Sequence, residues 1–147
     1  MLAIVCPGQG SQTPAMLAPW LELPGVSDQL DSFSTDGLDL RALGTEADAD
    51  AIRDTRVAQP LIVASSIIAL RAVLDGRDAA DVVDVTAGHS VGELAAAAVA
   101  GVLDDASAVA LVTRRAAVMA EAAAANPSGM SAVLGGDPDE VLAAIEA

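Results

Sequence analysis

The sequence predicts an α/β fold in which short parallel strands feed helices, and three stretches carry that expectation. Leu2 to Cys6 is a short apolar run stopped by Pro7-Gly8-Gln9-Gly10, the pattern of a buried strand entering a glycine-bearing loop. Val82 to Ala87 is rich in β-branched residues and passes through Gly88-His89-Ser90-Val91-Gly92 into an alanine-rich helix ending near Gly101, which is one half of a βαβ unit. Gln59-Pro60 opens a third element, a helix to about Leu74 that Asp75-Gly76 stops and whose apolarity on nearly every side places it in a core.

The remaining elements follow in order. Thr13 to Leu23 and Val26 to Phe33 read as short helices divided by Pro24-Gly25, followed by a loop-rich acidic stretch through Thr55. Asp104 or Asp105 caps a helix that continues to Asn126, where Pro127 forbids extension. Met130 to Leu134 reads as a strand, Gly135-Gly136 as a turn, and Asp137-Pro138-Asp139-Glu140 as the capped, acidic start of a helix. A lone strand and helix cannot bury both their faces. Residues 1–127 are therefore expected to form one α/β unit and residues 128–147 the start of a second, smaller domain.

Composition narrows the function classes. Among 147 residues, 21 are acidic and 7 basic, all seven of them Arg, for a formal charge of −14. Such a field repels polyanions, so neither a nucleic acid nor an anionic membrane surface is an expected partner. The single cysteine, Cys6, permits no intramolecular disulfide and fits a reducing, cytoplasmic setting. One His, one Cys and dispersed acids give no metal-ligand set. The chain has no lysine for a Walker motif, and Gly8 and Gly10 have the wrong spacing for a dinucleotide fingerprint, so no cofactor is expected. Met1 to Cys6 lacks the basic start of a signal peptide, and the apolar run Leu61 to Leu70 is well short of the roughly 20 residues that span a bilayer.

Gly88-His89-Ser90-Val91-Gly92 fits the G-x-S-x-G pattern, in which a serine sits on a strained turn between strand and helix and points its hydroxyl outward. The Val91 amide, at the helix start, can donate to a developing oxyanion. In the plainer reading the two glycines only shape the turn and Ser90 caps the helix. The neighbouring His89 should project away from the Ser90 hydroxyl, so a histidine able to activate Ser90 is not expected among these residues. On the helix after Asp104, Ala108, Leu111, Arg115, Val118 and Ala122 are expected to share a face bordered by Val109, Val112, Ala116 and Met119, with Arg114 on the polar side. A guanidinium there needs an anion, either an internal carboxylate or one brought by a substrate. Gly8-Gln9-Gly10-Ser11-Gln12 could offer backbone amides near the strand ends.

Taken together, these segments resemble the malonyl-CoA:acyl carrier protein transacylase family. The resemblance rests on Pro7-Gly8-Gln9-Gly10-Ser11-Gln12, Gln59-Pro60, Gly88-His89-Ser90-Val91-Gly92-Glu93, Ala100-Gly101-Val102-Leu103-Asp104, Arg115 with Met119, and Gly129 to Gly135. It implies an α/β-hydrolase-like parallel sheet carrying a small ferredoxin-like insert, whose first strand and helix would be residues 128–147. It implies Ser90 as the acylated nucleophile, the amides of Gln9 and Val91 as the oxyanion hole, and Arg115 as the partner of the malonyl carboxylate. Val91, in place of glutamine, is similar to malonyl-selective rather than methylmalonyl-selective members. The implied partners are malonyl-CoA and acyl carrier protein, in fatty-acid or polyketide synthesis. The family's catalytic histidine would lie beyond Ala147, so the chain alone is expected to be inactive or nearly so. A serine esterase or thioesterase and a non-catalytic remnant are the other readings.

Overall fold

The computed structural model describes residues 1–35, 37–127 and 133–146. Strand β1 (Ala3–Cys6) lies parallel to β2 (Val85–Gly88), with Ala3 opposite Val85 and Cys6 opposite Gly88. Successive side chains of a strand point to opposite faces. Cys6 and Ile4 therefore turn toward the helices, while Val5 and Val85 turn outward and are 74% and 49% exposed. Burial pushes the Cys6 thiol above its usual range.

Helix α1 (Val26–Phe33), α2 (Leu40–Thr45), α3 (Thr55–Leu74) and α4 (Ala79–Val82) make the crossover between the strands, and α5 (Gly92–Val99) and α6 (Asp105–Ala125) follow β2. Helix α7 (Pro138–Glu146) closes the described chain. The core forms around α3, against which α5, α6, α1 and α2 all pack. Leu61, Ile62, Ile67 and Ile68 of α3 are almost wholly buried, each worth roughly 1.5–3 kcal/mol relative to exposure. By length and composition α3 could cross a bilayer, with mean hydropathy 1.9 over its most apolar window. In the structure it is the central core helix, and 61% of that window is buried. Among the described residues the fold is mixed α/β, mostly helical, with the expected parallel pairing present as one pair of strands.

Several boundaries differ from expectation for local reasons. Helix α3 begins at Thr55, not at Gln59, because the Asp54 carboxylate accepts the Arg56 N–H at 2.7 Å and caps it there. Pro60 consequently lies in the second turn, where its missing N–H leaves the Arg56 carbonyl without the usual helical donor. Asp78 caps α4 by accepting from Ala80, so Val82 ends a turn of helix and β2 starts only at Val85. The stretch expected as loop before Thr55 contains α2, capped by Asp39, and a 3-10 turn at Ala51–Arg53, where Asp48 accepts two backbone amides. Thr13 to Leu23 yields only a 3-10 turn at Ala18–Glu22. Asp104 is the cap of α6, accepting the Ser107 amide at 2.7 Å and its hydroxyl at 2.8 Å. The expected strand at Met130 to Leu134 lies mostly on residues outside the described ones; Val133 and Leu134 are exposed. The helix after it is present, with Asp137 accepting the Asp139 N–H.

Candidate active site

The site grows out of the end of β2. His89 extends the ladder by donating its N–H to the Cys6 carbonyl at 3.0 Å, and the chain then turns sharply at Ser90, whose φ is +54°. A serine held in this left-handed region carries about 1–3 kcal/mol of strain. The turn is sustained by Gly92 N–H to the His89 carbonyl and Glu93 N–H to the Ser90 carbonyl, each 3.0 Å, which start α5. Gly88 and Gly92 are steric necessities here. A Cβ on Gly88 would overlap the backbone of Gly92 and Glu93, and one on Gly92 would overlap the carbonyls of Cys6 and Pro7. The capping position of α5 falls on Val91, and no side chain caps it, so Ser90 is not spent as a helix cap.

The Ser90 hydroxyl oxygen instead accepts a hydrogen bond from Arg115 Nη2 at 3.2 Å. Arg115 reaches it from α6, half-buried, and its Nη1 donates to Gln59 Oε1 at 2.5 Å. The core face of α6 is formed by Ala108, Val109, Val112 and Ala116. Leu111 and Val118, expected on one buried face with Arg115, are 47% and 54% exposed. Arg115 therefore stands at the edge of the core face, because alanine on most sides of α6 leaves the apolar stripe poorly defined. Among the described residues no carboxylate pairs with Arg115, so the internal ion pair that was one of its two possible fates does not form there.

Gln59 ties the site together. Its side chain, 1% exposed, sits in the apolar interior of α3 and must find partners there. Besides accepting from Arg115, it donates through Nε2 to Gln9 Oε1 at 3.2 Å and lies 3.4 Å from Met119 Sδ. Gln9 in turn donates to Thr55 Oγ1 at 3.3 Å. The loop around Gln9 is held from within: Ser11 donates its hydroxyl to the Gly8 carbonyl, and Gln12 accepts the Gly10 amide while donating to the Ile52 carbonyl. Among the described residues no acceptor takes the amide of Gln9 or of Val91. At Val91 that is one of the orphan donors every helix start leaves.

The structure thus brings Ser90, Arg115 and Gln9 into one hydrogen-bonded chain, with Val91 beside Ser90. His89 does not join it: its ring packs beside Gly8, and no hydrogen bond links the imidazole to the Ser90 hydroxyl. Sequence reasoning gave Gln59 no role. The signal was present, since a glutamine in a helix apolar on nearly every side has to be satisfied by something polar.

An Acyl transferase domain family model matches residues 3–146. A curated malonyl CoA-acyl carrier protein transacylase of Mycobacterium tuberculosis is 53% identical over 99% of this chain and 49% of its own length. The corresponding protein of Escherichia coli K12 is 36% identical over 98% of this chain and 47% of its own. A crystal structure of MCAT from Mycobacterium tuberculosis superposes with a TM-score of 0.89 at 54% identity, covering 99% of this chain and 49% of that one. A malonyl-transacylase solved with a type II PKS acyl-carrier protein gives a TM-score of 0.80 at 32% identity, over 99% of this chain and 47% of that one. The chain spans about half the length of the curated relatives it matches. With a strained serine, a site arginine and a family match along nearly its whole length, the chain belongs to the acyl transferase domain family, in the branch of the malonyl CoA-acyl carrier protein transacylases.

Proposed function

We propose that this chain supplies the nucleophile and the acyl-recognition elements for moving a malonyl group from CoA to the phosphopantetheine thiol of an acyl carrier protein. The observation that carries the reading is the contact between Ser90 Oγ and a guanidinium that no carboxylate of the described residues neutralises. A malonyl group brings the missing anion. Its free carboxylate takes the planar fork of Arg115 in a bidentate pair, which draws Nη2 off Ser90 and leaves the hydroxyl free to react.

Ser90 Oγ then attacks the thioester carbonyl, its proton passing to a base, while the amides of Gln9 and Val91 hold the oxyanion. The C–S bond breaks, CoA leaves as the thiol, and the malonyl-serine ester is attacked in turn by the carrier's thiol. His89, the sole histidine, is turned to Gly8 and does not serve as that base. The base belongs to a segment outside these 147 residues, and without it the reaction falls by about 10⁴. Residues 1–127 serve as the large acyltransferase unit and residues 128–147 as the start of the small ferredoxin-like one. The buried thiol of Cys6 fits a reducing cytoplasm.

Peptide mapping by mass spectrometry tests this directly. The chain is incubated with malonyl-CoA, alone and together with the separately produced second half of the Mycobacterium tuberculosis relative. A malonyl adduct is expected on the Ser90 peptide, faster with the added half and absent from Ser90→Ala. Arg115→Ala is expected to cut malonyl labelling by about 10- to 100-fold, the value of one charge-assisted contact, while acetyl labelling is retained. Acetyl-CoA acylating Ser90 as readily as malonyl-CoA would favour the esterase or thioesterase reading, and an adduct elsewhere would end the proposal.

A further inference from the structure

Strands β1 and β2 end side by side, with Cys6 opposite Gly88. Gln9 and Val91 each follow the last paired residue by three positions, so the two amides assigned to the oxyanion lie in loops that leave the sheet at the same register. They are aimed by different means. Val91 stands at the start of α5, and the helix fixes the direction of its N–H. Gln9 lies in a turn, not at a helix start. Its N–H belongs to the peptide that joins it to Gly8, and glycine restrains such a plane less than any other residue.

In a trans peptide the carbonyl and the N–H point in opposite directions. Whatever holds the Gly8 carbonyl therefore aims the Gln9 amide. Two groups of Ser11 hold it, the backbone N–H at 3.3 Å and the hydroxyl at 2.8 Å. The first is longer than an ordinary N–H···O bond and the second has the usual O–H···O length, so the hydroxyl is the stronger anchor. The next peptide is pinned separately, by Gln12 Oε1, which accepts the Gly10 amide at 2.8 Å. Gly8 itself lies against the residue before Ser90: a Cβ there would overlap the His89 ring and come within 2.8 Å of its carbonyl oxygen. The Gln9 side chain, bonded to Gln59 and Thr55, tethers that residue but leaves the plane before it free to rotate.

We propose that Ser11 is a positioning residue for acyl transfer: its hydroxyl locks the Gly8–Gln9 peptide so that the Gln9 N–H faces the developing oxyanion. The inference rests on the functional reading of Ser90 given above. Ser11 makes no hydrogen bond to Ser90 and acts through the plane it holds. Because the oxyanion forms only in the transition state, a loosened plane slows acylation and leaves the binding of malonyl-CoA as it was.

The test compares the parent with Ser11→Ala and Ser11→Thr, each isotope-labelled and mixed with the second half of the Mycobacterium tuberculosis relative. Quenched reactions read by mass spectrometry give the limiting rate of Ser90 malonylation and the malonyl-CoA concentration at half that rate. Relaxation dispersion at the Gln9 amide, recorded without substrate, reads motion of the plane on the μs–ms scale. Ser11→Ala is expected to lower the limiting rate by about 10- to 100-fold at an unchanged half-saturating concentration. It should also add exchange broadening at Gln9 that the parent lacks. Ser11→Thr keeps the hydroxyl and restores both. Ser11 is exposed, so Ser11→Ala should melt close to the parent. Four results overturn the proposal: a Gln9 amide in Ser11→Ala as quiet as in the parent, a parent-like limiting rate, a loss carried by the half-saturating concentration, or a threonine variant no better than alanine. A parent that acquires no malonyl group at Ser90 overturns the functional reading instead, and the Gln9 amide, scored without substrate, still decides whether the hydroxyl holds the plane.

Discussion

Replacing Gln59 tests whether the site is held by the buried amide or merely surrounds it. In Gln59→Leu three contacts disappear: the 2.5 Å bond from Arg115, the 3.2 Å bond to Gln9 and the 3.4 Å contact with Met119. The first is charge-assisted and worth about 1.5–3 kcal/mol, and the Gln9 bond about 0.5–1.5 kcal/mol. Gln9 is exposed and Arg115 half-buried, so both regain water, and leucine returns apolar burial at a site only 1% exposed. The net loss is then about 1–3 kcal/mol, or roughly 2–4 °C of melting temperature for each kcal/mol in a domain of this size. Gln59→Glu behaves differently. It keeps an acceptor for Arg115 and so melts closer to the parent, but it brings a carboxylate to the guanidinium, an attraction of about 4 kcal/mol at an effective dielectric of 20. The arginine is then satisfied from within and malonyl labelling of Ser90 falls by at least about 10-fold. Thermal denaturation by circular dichroism reads the first effect and mass spectrometry the second. A Gln59→Leu chain that melts with the parent, or a Gln59→Glu chain that is malonylated at the parent rate, would refute the reasoning.

Gly92→Ala sets a Cβ against the carbonyls of Cys6 and Pro7, so the turn must open; lowered stability and loss of Ser90 labelling are expected together, and labelling at the parent rate counts against the packing argument. The Asp104 carboxyl is held below the usual carboxylate range, first by the backbone amide of Ser107 and then by its hydroxyl. Its contribution is therefore complete above the ordinary carboxylate pKa and declines as pH falls through the lower folded value, so acid unfolding should be steeper in the parent than in Asp104→Asn. Equal slopes would remove Asp104 as the cap. Cys6 is buried at the end of β1 with its thiol pushed up, so iodoacetamide should alkylate it slowly at pH 8 and rapidly in denaturant; fast labelling of the folded chain would contradict the packing.

The elements that sequence reasoning located best are those whose signal is local. The turn from β2 into α5 was legible because Gly88 and Gly92 are forced by sterics within a few residues, and Asp104 was legible as a cap because capping is a contact three residues long. Asp54 carried the same kind of signal, but Pro60 gave a louder and misleading one, since proline marks a first turn far more often than a second. The short helix α2 was hidden because Asp39 caps only six residues, whose stability comes from burying Leu40 in the core rather than from their own propensity. At the site, Ser90 stood out from its motif and Arg115 from an anion it needed. Gln59 was legible only as a polar side chain in an apolar helix that had to find partners; which partners it takes was not, because they lie 50 to 60 positions away in sequence. Nor could the edge position of Arg115 on α6 be read from a helix in which alanine dominates most faces.

The left-handed backbone at position 90 has a consequence for any effort to improve this polypeptide. Glycine, or asparagine to a lesser degree, would relax there, so selection for heat resistance alone would favour trading the hydroxyl away. Under the proposed function, durability and usefulness pull in opposite directions at this one residue, and a hardened variant with an unchanged fold should be sequenced at that codon before it is trusted.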